Sequence, residues 1–148
     1  MPDLDLALAI THHLTIFALF GILAAELISV RRNMSADSVA KVAAIDLGYG
    51  ALAGVIVVVG FARAIFAAKG WVYYSHNGFF WAKITTFLVI GFLSVPPTLK
   101  FIRWRRAGGS PSDRDVRSVR SFLYAELVLF APLLACAAAM ARGYGEVA

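Results

Sequence analysis

Cysteine occurs once in this chain, at position 136. No disulfide can therefore form within the chain, and no cysteine-based metal site can be built. Charge is scarce as well: 16% of residues are charged against 60% hydrophobic. That balance excludes an ordinary soluble fold. Methionine is rare, and Met34 and Met140 are expected to fall far from His12 in the predicted bundle, which argues against a Met–His copper cluster. The first five residues are acidic rather than basic, and the apolar run after them is too long for the core of a signal peptide, so that segment is expected to be retained. Internal repeats and low-complexity tracts are absent.

What the chain does have is four long apolar runs, at 4–30, 39–68, 79–102 and 122–140. Each meets the ~20 residues a helix needs to cross a bilayer. Lipid offers the backbone no hydrogen-bond partners, so four spans on short links leave a helix bundle. The expectation is an all-α, polytopic membrane four-helix bundle forming a single integral domain, 1–148. Its spans are predicted at 5–30, 39–68, 79–102 and 118–141.

The net charge of +5 could suggest nucleic acid, but its distribution does not. Ten of the fourteen Lys and Arg lie between runs 1 and 2 (Arg31, Arg32, Lys41) or between 3 and 4 (Lys100, Arg103, Arg105, Arg106, Arg114, Arg117, Arg120). That is the positive-inside bias. It predicts cytoplasmic basic loops, with the N-terminus and the C-terminus on the outer, periplasmic side of a bacterial inner (plasma) membrane. The 2–3 loop is aromatic, as an interfacial belt is, and Arg103–Arg106 with Trp104 reads as an anchor for anionic lipid.

Local signals refine the runs. Ser35 or Asp37 can cap the second helix and Asp113 the fourth. Gly50, Ala53, Gly54, Val57 and Gly60 form a small-residue stripe that lets another helix approach. The 2–3 link is a loop from Gly70 to Gly78. Pro96-Pro97 predicts a bend, then a basic turn or a helix continuing to Arg106, and Pro132 predicts a kink in the fourth span.

Ionisable residues inside the runs carry the functional signal. A charge at the centre of a spanning helix costs ~2.5–3.5 kcal/mol on insertion scales, so such residues are rare and functional by default. Running each helix in its expected direction sorts them by depth. His12, His13, Arg63 and Lys83 form an outer layer beneath His76, Tyr73 and Tyr74. Glu26, Asp46 and Glu126 form an inner layer with Tyr49 and Tyr124 near. At ~100° per residue, His12 and Glu26 fall about 40° apart on one face, whereas His13 points about 140° away. Lys83, Phe87, Ile90 and Ser94 share a face of the third span.

Two readings of the outer layer are open. His12 and His13 can be a hydrogen-bonded structural pair. They can also be ligands: neutral imidazole binds haem iron, and Arg63 and Lys83 suit haem propionates. The inner carboxylates can pair with Arg31, Arg32, Lys100 or Arg120 near the headgroups, or they can relay protons.

The stretches HHLTIFALFGILAAEL (12–27), DLGYGALAGVIVVVGFAR (46–63), YYSHNGFFWAK (73–83) and FLSVPPTLKFIRWRR (92–106) resemble a family of small four-helix bacterial membrane proteins of uncharacterised function. A His early in helix 1 and the Trp81-x-Lys83 opening of helix 3 more loosely resemble HemJ-type protoporphyrinogen oxidases, and the group is similar to CopD-type membrane domains. The likeness implies b-type haem as cofactor, His12 or His13 as axial metal ligand, and Lys83, with Arg63, as porphyrin-carboxylate or catalytic partner. Tyr74 would join the cofactor site.

Three functions stay in play. The first is a haem b-binding membrane redox protein, protoporphyrinogen oxidase-like or quinone-reducing. The second is a non-enzymatic subunit or assembly factor of a larger membrane complex. The third is a small transporter or proton-conducting bundle, which with four helices would act as a homo-oligomer. The lipid bilayer is the partner common to all three, and nucleic acid belongs to none.

Overall fold

The computed structural model describes residues 2–66 and 69–146, and these form five helices. They are α1 (Pro2–Ser29), α2 (Ala36–Phe66), α3 (Gly70–Ser75), α4 (Gly78–Ala107) and α5 (Asp113–Ala141). Four of them, all but α3, are long and apolar enough to cross a membrane. The expected all-α, four-span architecture is therefore found. A helix of this length extends about 45 Å, past the ~30 Å hydrocarbon core, so its ends lie among headgroups.

The helices outrun the predicted spans where polar residues extend them. α4 runs on to Ala107, the longer of the two expected continuations, and α5 begins at Asp113 with basic first turns as expected, so the basic stretch between spans 3 and 4 is largely helical. Residues 67 and 68 of the second expected span, and residues 1, 147 and 148 of the chain, lie outside the described residues.

Pairing follows from the short links. α1 packs along α2 and α4 along α5, and the two hairpins meet through α2 against α4 and α1 against α5. Around the bundle the order is α1, α2, α4, α5, so α1 faces α4 and α2 faces α5 across the diagonals. An antiparallel bridge between Asn77 and Glu146 puts the C-terminal segment at the α3 end. Four alternating spans put the start of α1 there too, with the basic links 30–35 and 108–112 at the other end.

Lipid is as apolar as leucine, so burial of apolar surface does not hold such helices together; close packing and internal polar contacts do. The interior is filled by Leu19, Leu23, Ile56, Ile90, Phe130 and Leu133 at mid-depth, and by Val39, Phe101, Val116 and Val119 nearer the basic links. Phe17, Ile28, Leu47, Val58, Phe92 and Val128 point outward, where lipid accommodates them.

Several local expectations are corrected. The 2–3 link is not all loop, because Gly70–Ser75 forms a helical turn and a half. Asn77 then caps α4: its side chain accepts from the amides of Phe79 and Phe80. Ser112, not Asp113, caps α5 by accepting from the Asp115 amide, which leaves Asp113 in the first turn. Ser35 caps α2 as expected, accepting from Ser38 N.

α4 continues through Pro96 and Pro97, so of the two expected continuations the helix is the one found. α5 likewise continues through Pro132. The glycine stripe of α2 is only partly an interface. A Cβ added at Gly50 or Gly54 would meet nothing within 4 Å, so these two face outward. Gly60 alone lies tight, with its added Cβ 3.3 Å from Cε1 of His12.

Candidate functional site

At the α3 end, one cleft gathers all the residues of the expected cofactor site. His12 and His13 on α1, Arg63 on α2, Tyr74 on α3 and Lys83 on α4 line it together. Its volume is about 270 Å³, and residues of α5 from Leu134 to Ala141 close the remaining side; Met140 is among them, so this methionine shares the cleft with His12 rather than lying far from it as expected. A narrower apolar pocket of about 60 Å³ shares His12, Ile16 and Lys83 with it and reaches down to Ile56, Phe87 and Leu133.

The two histidines differ as helical phase predicts. His12 is 5% exposed and shares the interior face with Glu26, whereas His13 faces outward. The His12 ring packs on Gly60, where a glycine makes room for it. Its Nε2 lies 3.4 Å from the Lys83 ammonium, across the α1–α4 diagonal. An ammonium only donates, so Nε2 holds the lone pair and the proton of neutral His12 sits on Nδ1. That buried Nδ1 has no partner.

His13 is arranged the other way. Its Nδ1 donates to the Ala9 carbonyl at 2.7 Å, since a carbonyl only accepts. The lone pair of neutral His13 is therefore on Nε2, which makes no hydrogen bond among the described residues. A backbone carbonyl on one ring nitrogen is how ligating imidazoles are held. The rings of His12 and His13 stand 6.3 Å apart and nearly perpendicular.

Arg63 and Lys83 form no ion pair among the described residues, and of the cations lining the cleft Lys69 has an acid, Glu146, within electrostatic reach. The ion pairs among the described residues are Arg32–Asp113 and Lys100–Asp115, both at the basic-link end. Arg63 Nε is buried without a partner. Lys69, which the sequence reading left out, also lines the cleft and lies over the Tyr73 ring, 4.1 Å from its centroid. Tyr73 donates to the Met140 carbonyl and Asn77 to the Tyr144 carbonyl, tying α3 and the start of α4 to the C-terminal segment. His76 is outward-facing and bonds within α3.

The inner layer is brought together as well. Glu26 is 1% exposed and Glu126 is fully buried. Tyr49 donates to Oε2 of Glu126 at 3.1 Å, crossing the α2–α5 diagonal. Thr98 donates to Oδ1 of Asp46 at 2.8 Å. The expected pairing with Arg31, Arg32, Lys100 or Arg120 does not occur. Lys100 and Arg32 are engaged elsewhere, and Arg120 donates to the Leu27 and Val30 carbonyls at the end of α1. Tyr124 is not part of the layer: it faces outward against Arg120.

Lys69 and Thr98 are the contributors that the sequence did not single out, whereas Gly60 and Arg120 stood out in other roles, as part of a packing stripe and as an acid partner. Of the first two, Thr98 carried a usable signal, one turn beyond Ser94 on the Lys83 face. No three of the described His, Cys, Asp or Glu side chains converge as metal ligands.

Comparison with known proteins adds one match. The chain fits the family described as "Predicted membrane protein (DUF2214)" over residues 4–145. No curated protein matches it. No solved structure matches it. These comparisons do not show a likeness to HemJ-type oxidases or to CopD-type membrane domains. With four membrane-crossing helices and a family match over nearly its whole length, the chain belongs to the predicted membrane protein family DUF2214.

Proposed function

We propose that the cleft at the α3 end binds an anionic, lipid-soluble porphyrin, with b-type haem as the resident form, and that the chain is a membrane redox protein. One observation carries this reading: His12, His13, Arg63, Tyr74 and Lys83, drawn from four helices, line one cleft, and its Arg63 and Lys83 form no ion pair among the described residues. The donor set fits the group. His13 offers a free Nε2 lone pair with Nδ1 already anchored. Arg63 and Lys83 are the carboxylate partners, and guanidinium is the better fork for one. Tyr74 forms part of the wall. The volume lies at the lower edge of the ~300–1,000 Å³ usual for small-molecule sites, so part of the ring would lie against lipid.

When bound, haem supplies one-electron chemistry. The chain's own residues orient it, balance its carboxylates and keep water away through the apolar pocket below. The basic links set the orientation, with the cleft on the periplasmic side of a bacterial inner membrane. Protoporphyrinogen oxidation or electron transfer to quinone is the activity class that follows.

The test is the absorption spectrum of the detergent-purified protein, before and after dithionite, with a pyridine haemochrome assay. A Soret band with sharpened reduced bands is expected, and His13→Ala should lose it more completely than His12→Ala. A protein that stays colourless after haem supplementation overturns the reading. A second reading, a subunit of a larger complex, is favoured by the outward, unpartnered Gly50 and Gly54 of α2. A stoichiometric partner co-purifying with a colourless chain would establish it.

A further inference from the structure

A second polar site lies deeper in the bundle, and its argument does not depend on the cleft above. Glu26 contributes two carboxyl oxygens with no hydrogen-bond partner, and Glu126 contributes one. Both residues are fully enclosed. Glu26 lies within electrostatic reach of Asp46 and Glu126, so like charges would stand together. No cation answers them: the ion pairs among the described residues include none of the three acids, and Arg120 of α5 is bonded to the Leu27 and Val30 carbonyls. An unpaired carboxylate charge in such surroundings costs several kcal/mol, and the neutral acid avoids that cost. Three acids that do not converge as metal ligands leave the proton as the cation that can be held there.

A half-open groove of about 560 Å³ between α2 and α4 touches this group: Asp46 and Thr98 line it at one end, and Arg105 and Arg106 line it toward the basic links. A water's share of liquid is ~30 Å³, so the space admits several. Asp46 is 8% exposed, and it is the acid of the three that this groove touches. On the other side Leu19, Leu23, Ile56, Ile90 and Phe130 fill the section between the acids and the His12 cleft.

We propose that Glu26, Asp46 and Glu126, with Tyr49 and Thr98, form a proton-holding site loaded from the basic-link end alone through the α2–α4 groove. Asp46 is the port and Glu26–Glu126 the store. Tyr49 fixes Oε2 of Glu126 as an acceptor, which leaves Oε1 to carry the proton. The apolar section makes this a one-sided store rather than a through-channel. The charged residues lining the groove besides Asp46 are Arg105 and Arg106, while Lys100 of α4 and Arg120 of α5 are bonded to Asp115 and to the Leu27 and Val30 carbonyls.

Infrared spectroscopy of the vesicle-reconstituted full chain tests this. At neutral pH the wild type should show the carbonyl band of protonated carboxylic acid. Part of that band should vanish in Glu26→Gln and part in Glu126→Gln. In D2O the wild-type band should shift within minutes, and Asp46→Asn should slow that shift at least several-fold. A wild type without the band, a band unchanged by both glutamine variants, or a band that never shifts in D2O overturns the proposal. The wild-type measurement stands even if a variant fails to fold, and a colourless protein leaves it untouched.

Discussion

The sharpest test of the packing compares two glycines six residues apart on α2. At Gly54 an added methyl meets open space; at Gly60 it lies 3.3 Å from Cε1 and 3.7 Å from Nδ1 of His12. Both substitutions to alanine gain the same backbone term, about 1 kcal/mol in aqueous hosts. Whatever that term becomes in a micelle, it cancels in the comparison. Only Gly60→Ala must push an enclosed imidazole by a few tenths of an ångström. Overpacking of that kind costs about 1–3 kcal/mol. Gly54→Ala should therefore be neutral to stabilising, and Gly60→Ala less stable than Gly54→Ala by about 1–3 kcal/mol. The assay is unfolding by dodecyl sulfate in one mixed micelle system, followed by helical circular dichroism. Equal stability of the two variants would refute the claim that His12 is seated against α2.

Three further outcomes are expected. Asn77→Ala removes the α4 cap and the tie to the Tyr144 carbonyl; a cap and a hydrogen bond are each worth about 1 kcal/mol, and tryptic cleavage after Arg142 should accelerate. An unchanged cleavage rate would show that the C-terminal segment is held by other contacts. Arg120→Ala leaves two α1 carbonyls without their charged donor and should cost about 1.5–3 kcal/mol in the same unfolding assay, with Arg120→Lys recovering part. Tyr49→Phe should cost about 0.6 kcal/mol and at most about 1.7 kcal/mol, the average and the maximum found for hydrogen bonds between membrane helices; a gain in stability would count against the Tyr49–Glu126 contact.

Depth and phase were legible in the sequence; adjacency was not. Hydropathy located four spans, and 3.6-residue periodicity put His12 and Glu26 on one interior face while turning His13 away, as found. Counting depth along alternating helices brought His12 level with Lys83 and Arg63. Periodicity gives angles within one helix and says nothing of which neighbour stands opposite. Gly50, Gly54 and Gly60 looked alike for that reason, and only the last meets another helix. Proline misled in part because the signal of Pro96-Pro97 is the same whether a helix ends or carries on through it. The acids looked ready to pair with the nearby arginines because sequence shows proximity along the chain, not the α1 carbonyls that claim Arg120 first.

The pairing of α1 with α2 and of α4 with α5 bears on how the chain is made. Each hairpin can enter the bilayer as a unit, but the first carries Asp46 and Tyr49 into lipid before Thr98 and Glu126 have been synthesised. Until the second hairpin docks, those groups lack their mates, and so does the ring of His12, which waits for Lys83. Half-made molecules thus expose polar side chains to lipid that finished ones conceal. A membrane chaperone or protease could read that difference, so the diagonal contacts that close the bundle also mark when assembly is complete.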